Sequence, residues 1–138
     1  MRAVIVCKYT VPEVTANLSR KTGWRVTRVA ARPRNPALGM ADAWELKVLE
    51  GFHQRTERGE KPEALEHAEI VTEGGRRYHR YMRALVMAPV CLACHGPVEQ
   101  ISDTVKAQLS NEYPFDTATG YKLGQMRGAI TIKRPLSP

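Results

Sequence analysis

No hydrophobic run in the sequence is long enough to cross a membrane. The longest apolar stretch near the start is Ala3 to Cys7. That is far short of the roughly 20 residues a spanning helix needs, and too short for the core of a signal peptide. Cysteine is scarce and odd in number, three in 138 residues, which argues against a disulfide framework. There is no second Cys-x-x-Cys and no His-x-His, so the paired ligand sets of structural zinc are missing. Nor are there aromatic and basic residues interleaved as in RNA-recognition motifs, so nucleic acid is not an expected partner. Internal repeats and low-complexity tracts are absent as well.

What remains is an ordinary globular composition. Charged residues make up 25% and hydrophobic residues 43%, close to the average for folded domains, and the length suits one domain over residues 1–138. The net charge is +7. Its Lys and Arg are scattered, from Arg20, Lys21, Arg25, Arg28, Arg32 and Arg34 to Arg76, Arg77, Arg80 and Arg83, and they interleave with apolar positions. Such a spread reads as a solvated basic surface that keeps the chain soluble and steers anionic partners.

Val4, Cys7, Val11, Val14 and Leu18 form the apolar stripe of an amphipathic helix. Pro12 interrupts it, and Thr10 with Glu13 has the spacing of a capping box. The helix therefore either runs kinked from Val4 to Ser19 or starts at Val11, with Cys7 on the apolar side in both cases and Gly23 ending it. Trp24 to Ala30 predicts a strand, and Arg32 to Gly39, with two prolines, predicts a loop. Asp42 and Glu45 make a capping box for a second helix, whose apolar positions are Trp44, Val48 and Phe52. It stops by Gly59, and Glu60 to Glu63 is a connector.

Ala64 to Thr72 and Arg77 to Met87 predict two strands joined at Gly74-Gly75, a hairpin signal because glycine tolerates positive φ. Val98, Ile101, Val105 and Leu109 mark a short helix, Asn111 to Gly124 a long loop, and Gly128 to Lys133 a last strand closed by Pro135. The order implies an α+β fold with an antiparallel sheet flanked by helices.

Cys91-Leu92-Ala93-Cys94-His95 is the C-x-x-C-H pattern of c-type haem attachment. Two thiols add to the two vinyl groups of one porphyrin, and two intervening residues let one segment reach both. The adjacent histidine supplies an axial imidazole to the iron. Small Ala93 and Gly96 would let the backbone pass close to the ring. In a chain of this composition the pattern arises by chance only about twice in a thousand sequences. A thioredoxin-like thiol pair needs a βαβ setting, whereas here the motif follows a predicted hairpin. Zinc is disfavoured by the missing second pair, and adjacent Cys94 and His95 are awkward ligands for one small metal. By residue type, the second axial ligand is open among Cys7, His53, His67, His79, Met40, Met82, Met87 and Met126.

The run Arg80-Tyr81-Met82, then Cys91 to Gly96, Tyr113-Pro114, Asp116, Ala118-Thr119-Gly120-Tyr121, Gly124 and Arg127-Gly128-Ala129 resembles the DUF3365 family, the Tll0287-like haem domains. The front half matches too, in Val6-Cys7, Pro12-Glu13, Leu18-Ser19, Gly23-Trp24, Arg34-Asn35-Pro36 and Asp42-Ala43-Trp44-Glu45. The resemblance covers nearly the whole chain. It implies a PAS-like fold holding one covalent haem c, with iron ligated by His95 and by a cysteine of the N-terminal helix, here Cys7. It also implies a redox or gas sensor, or a one-electron carrier, rather than an enzyme.

The rivals are a peroxidase-like haem enzyme with an open distal face, and an apo PAS-like interaction module. Arg34 or Arg80 is expected to pair with a haem propionate. Candidate partners are a redox or signalling protein, a small gas ligand and a second copy of the chain. Haem c attachment implies a periplasmic or otherwise extracytoplasmic protein. Members of the family usually carry a signal peptide or membrane anchor ahead of this region, whereas Met1 falls almost directly before the Cys7 helix. Either the chain is trimmed or its start is misplaced.

Overall fold

The computed structural model describes residues 2–137. Four strands form one antiparallel sheet: β1 (Arg25–Val29), β2 (Glu66–Glu73), β3 (Arg76–Val86) and β4 (Met126–Pro135), in the order β1-β4-β3-β2. The architecture is α+β, one antiparallel sheet flanked by helices, as expected. Gly74 and Gly75 both have positive φ, 57° and 76°, and close the tight β2–β3 hairpin that this geometry favours. Pro135 does not stop β4 but is its last residue, opposite Tyr78. It lies beyond Lys133, where the pairing with β1 ends, so its missing N–H costs no ladder bond on that side.

The N-terminal helix, α1, does not break at Pro12. It is α-helical over Arg2–Ile5, π-helical over Val6–Thr10 and α-helical again over Val11–Thr22, with the Val11 amide bonding the Val6 carbonyl. Proline lacks an N–H and crowds the carbonyl four residues back, and the wider turn just upstream accommodates both demands. Thr10 has helical dihedrals and makes no capping bond, so the expected capping box is absent.

The extra residue in the π-turn rotates everything after it by about 100°. The inward face therefore runs through Lys8, Pro12, Thr15, Ala16 and Ser19, while Val14 and Leu18 of the expected stripe are exposed. Ser19 ties the helix to the sheet, its hydroxyl accepting from the Val26 amide at 2.9 Å.

The Arg32–Gly39 loop contains one helical turn, α2 (Pro36–Gly39), capped by the Asn35 side chain. Helix α3 (Ala43–Glu57) begins at the predicted box: Asp42 Oδ1 accepts from the Glu45 amide at 2.8 Å, and Glu45 Oε1 from the Asp42 amide at 3.0 Å. Its buried line is Glu45, Leu49 and Phe52, with Trp44 and Val48 at the margin. These pack on Val29, Leu65, Met82, Ala84 and Ala129, one face of the sheet.

Successive side chains alternate between sheet faces. Arg80, Met82 and Ala84 thus join Ala129 and Thr131 under α3, while Val26, Arg28, Leu85, Gly128 and Ile130 look to the other side. Pro89–Cys91 and α4 (Leu92–His95) form one short continuous helical stretch, and α5 (Asp103–Glu112), capped by Ser102, follows.

Candidate functional site

On the sheet face away from α3 lies an open cavity of about 560 Å³, within the range of ligand sites, about 300–1,000 Å³. Its lining is mostly apolar. Helix α1 contributes Val4, Cys7, Pro12 and Ala16, the sheet contributes Val26, Leu85 and Gly128, and the motif contributes Cys91, Cys94 and His95. Gly128 makes the close approach of β4 to β1 possible, because a Cβ there would stand 2.4 Å from the Val29 carbonyl oxygen.

The motif's spacing becomes geometry in its helical turn. Positions three apart share a helix face, so both thiols, Cys91 and Cys94, line the same cavity. Burial pushes the Cys94 thiol up, only partly offset by the Arg34 charge, so it stays protonated at neutral pH.

His95 is held by the loop that follows α5. Its Nδ1 lies 2.8 Å from the Ala118 carbonyl oxygen. The Arg127 Nε also points at Nδ1, at 3.3 Å, but one nitrogen cannot both donate and accept. The carbonyl can only accept, and its contact is the shorter, so Nδ1 carries the proton and Nε2 keeps its lone pair. Burial first, then the Arg34 charge, hold the His95 pKa down at about 4. The ring is therefore neutral, the form that ligates a metal. Orientation of a ligating imidazole by a backbone carbonyl is the usual supporting arrangement.

The same loop is stitched to the motif by the Tyr121 amide on the His95 carbonyl and the Gly120 amide on the Gly96 carbonyl, each at 2.9 Å. Tyr121 meets the His95 ring edge-on, centroids 6.5 Å apart.

Arg34 clamps three segments together. Its Nε donates to Asp116 Oδ2 at 2.9 Å, and its Nη2 donates to the carbonyls of Ala118, at 3.2 Å, and Cys94. Asp116 in turn accepts from the Ala118 amide at 2.8 Å.

A family model for the Tll0287-like proteins matches residues 1–135. The chain belongs to the Tll0287-like family. A search of curated proteins finds no match. Among solved structures the chain is similar to the crystal structure of the cyanobacterial heme-protein Tll0287, with a TM-score of 0.72 and 24% identity, covering 91% of this chain and 69% of that one.

Of the residues singled out from this family's pattern, Cys91, Cys94, His95, Cys7 and Arg34 all line the cavity. Arg80 does not. Strand alternation puts it under α3, where it is 1% exposed, stacked on Trp44 and bonded to Asp42 at 2.8 Å and Glu73 at 3.0 Å. The propionate role expected of Arg80 is therefore withdrawn. Arg34 is in place, but its bonds go to the protein.

Among the axial candidates, Cys7 and Met87 line the cavity; His53, His67, His79, Met40, Met82 and Met126 do not. Cys7 lies in the π-turn, a distortion frequent at functional sites. Gly96 is needed for a different reason than expected: a Cβ there would stand 2.6 Å from the Leu92 carbonyl oxygen. Ala93 is exposed and outside the lining. The roles of Ala118, Asp116 and Arg127 escaped the sequence reading. The signal available for the first two was a long loop without secondary structure, which in a compact domain is usually functional.

Proposed function

We propose that this protein holds one haem c through Cys91 and Cys94, with His95 and Cys7 as the residues that would bind its iron. One observation carries the reading: two thiols, a neutral imidazole with Nε2 free, and a third thiol on a separate helix converge on one apolar cavity. Each attachment is an addition of S–H across a vinyl C=C, sulfur to one carbon and hydrogen to the other, so no external oxidant or reductant is consumed. The residues present fit the group. The lining is apolar where a porphyrin face needs it, and the thiols sit on one helical face.

The chemistry supplied by such a group is the one-electron couple of its iron. What this chain's own residues contribute is binding, orientation and tuning. Ala118 fixes the His95 tautomer and ring plane. Arg34 and Asp116 hold Ala118 in place. A Cys7 thiolate favours the ferric state and so a low reduction potential, below that of His/Met ligation. Cys7 sits in the π-turn of α1, so a bond from it to the iron would tie the redox state of the group to that helix, as a redox or gas sensor requires; the same site would also suit a one-electron carrier. The function is thus carried by redox state rather than turnover, with a redox or signalling protein as partner. Attachment of haem c places maturation outside the cytoplasm.

The test is the absorption spectrum of wild type and Cys7→Ala in both oxidation states, after expression with haem-maturation machinery. The expected result is a six-coordinate low-spin ferric wild type, and a Cys7→Ala variant with altered bands and a higher potential. Identical spectra in both states exclude Cys7 and leave Met87 as the cavity-lining alternative. A five-coordinate, high-spin wild type favours a haem enzyme instead.

A further inference from the structure

Among the described residues, four cationic side chains line the cavity, Lys8, Arg28, Arg34 and Arg127, and no carboxylate does. Two of the four are neutralised: Lys8 pairs with Glu112 and Arg34 with Asp116. Among the described residues, neither Arg28 nor Arg127 forms an ion pair with any carboxylate. Arg28 makes no side-chain hydrogen bond there either; the hydrogen-bonding approaches of Arg127 are long, to the Arg32 carbonyl, 3.4 Å, and to the His95 ring, and its guanidinium also lies over the Tyr121 ring, 5.3 Å from the ring centre. The carboxylate within electrostatic reach of Arg127, Asp116, is already bonded to Arg34.

The backbone is irregular at Arg127. Leu85 pairs with Gly128 but Val86 pairs with Met126, so Arg127 is the extra residue of a β-bulge. Plain alternation from Ala129 would turn Arg127 toward α3. The bulge instead puts it on the cavity lining, while Met126 packs with the α3 core. Bulges that re-aim one side chain are concentrated beside functional sites. Two guanidiniums brought to one mostly apolar cavity without anions carry both desolvation and mutual repulsion, costs that a dianionic ligand relieves.

We infer that Arg28 and Arg127, not Arg80 and not the already paired Arg34, receive the two propionates of the haem. This rests on the haem c reading above. Arginine suits the task because its planar fork binds carboxylates in a two-pronged manner.

The test uses the matured holoprotein and the variants Arg28→Gln and Arg127→Gln, each alone, with Arg127→Lys as the charge-retaining control. A haemochrome assay first establishes covalent haem, and a spectroelectrochemical titration then gives the potential. Removing a cation beside the propionates leaves their negative charge unbalanced and disfavours the reduced iron. At a fixed applied potential the reduced-to-oxidised ratio should fall about threefold to tenfold in each Gln variant, the scale of one partly screened charge acting through protein. It should stay near wild type in Arg127→Lys, with the ligation spectrum unchanged throughout. If Arg127→Gln fails to mature, Arg28→Gln decides alone. Covalent haem with an unmoved ratio in the Gln variants overturns the propionate assignment and leaves the haem c reading intact. A wild type without covalent haem overturns both.

Discussion

Replacing Arg80 separates two roles that the sequence alone could not. Its guanidinium is 1% exposed and lies beside Glu45, which is fully buried, at 3.7 Å. Arg80→Met keeps the volume and apolar stem but strands the Glu45 carboxylate. Breaking a buried ion pair from one side costs about 3–5 kcal/mol. Arg25, at 3.2 Å and 45% exposed, remains as a partial partner and places the loss near the low end. The stacking of Arg80 on Trp44, 4.3 Å from guanidinium carbon to ring centre, adds about 1 kcal/mol. The sum, about 4 kcal/mol, lowers the midpoint of thermal unfolding by about 10–15 °C in a chain of this size. Urea unfolding should show an earlier midpoint with unchanged slope. The double variant Arg80→Met, Glu45→Leu removes the stranded charge and should recover most of the loss. Because Arg80 lies outside the cavity, the spectrum and potential of the folded variant should match wild type. An Arg80→Met protein that melts normally, or that melts early and also shifts its potential, refutes this placement.

Three further outcomes follow from the geometry. Gly128→Ala puts a Cβ against the Val29 carbonyl oxygen, so β1 and β4 must part; stability should fall by about 1–3 kcal/mol, read by urea unfolding, with less haem incorporated per chain. Asp116→Ala frees Arg34 and removes the acceptor of the Ala118 amide, so the His95 ring loses its fixed orientation; the spectrum should show mixed ligation where wild type shows one species. Asp42 and Glu73 both have lowered pKa values. Burial works against Asp42, but the Glu45 amide and Arg80 outweigh it, and Lys133 is the largest influence on Glu73. Carboxylates with depressed folded pKa values contribute stability that is present above their unfolded pKa and lost as pH falls through the folded one. Unfolding free energy should thus be flat near neutrality and drop below about pH 4, and the drop should shrink in Glu73→Gln.

Much of this was legible in the sequence because it is local. The Asp42–Glu45 box, the Gly74-Gly75 turn and the strands on either side each depend on residues a few positions apart, and so does the helical turn that sets Cys91 and Cys94 on one face. What was illegible depends on the rest of the chain. The π-turn at Val6–Thr10 shifts the helix face by one residue, so the stripe through Val14 and Leu18 pointed the wrong way. Arg34 reaches partners 60 and 82 positions away, and no spacing rule announces them. Glu45 looked like a capping residue only, yet it is also the buried anion facing Arg80. Arg127 occupies a position whose plain alternation points to the core, and only the bulge in the β3–β4 register turns it to the cavity.

The central claim is that Cys91 and Cys94 bind a porphyrin covalently beside His95. Intact mass measurement of the denatured, matured protein tests it most directly. The account predicts the chain mass plus one haem in wild type, and the bare chain mass in Cys91→Ser, Cys94→Ser. A wild type that carries no added haem mass after maturation contradicts it.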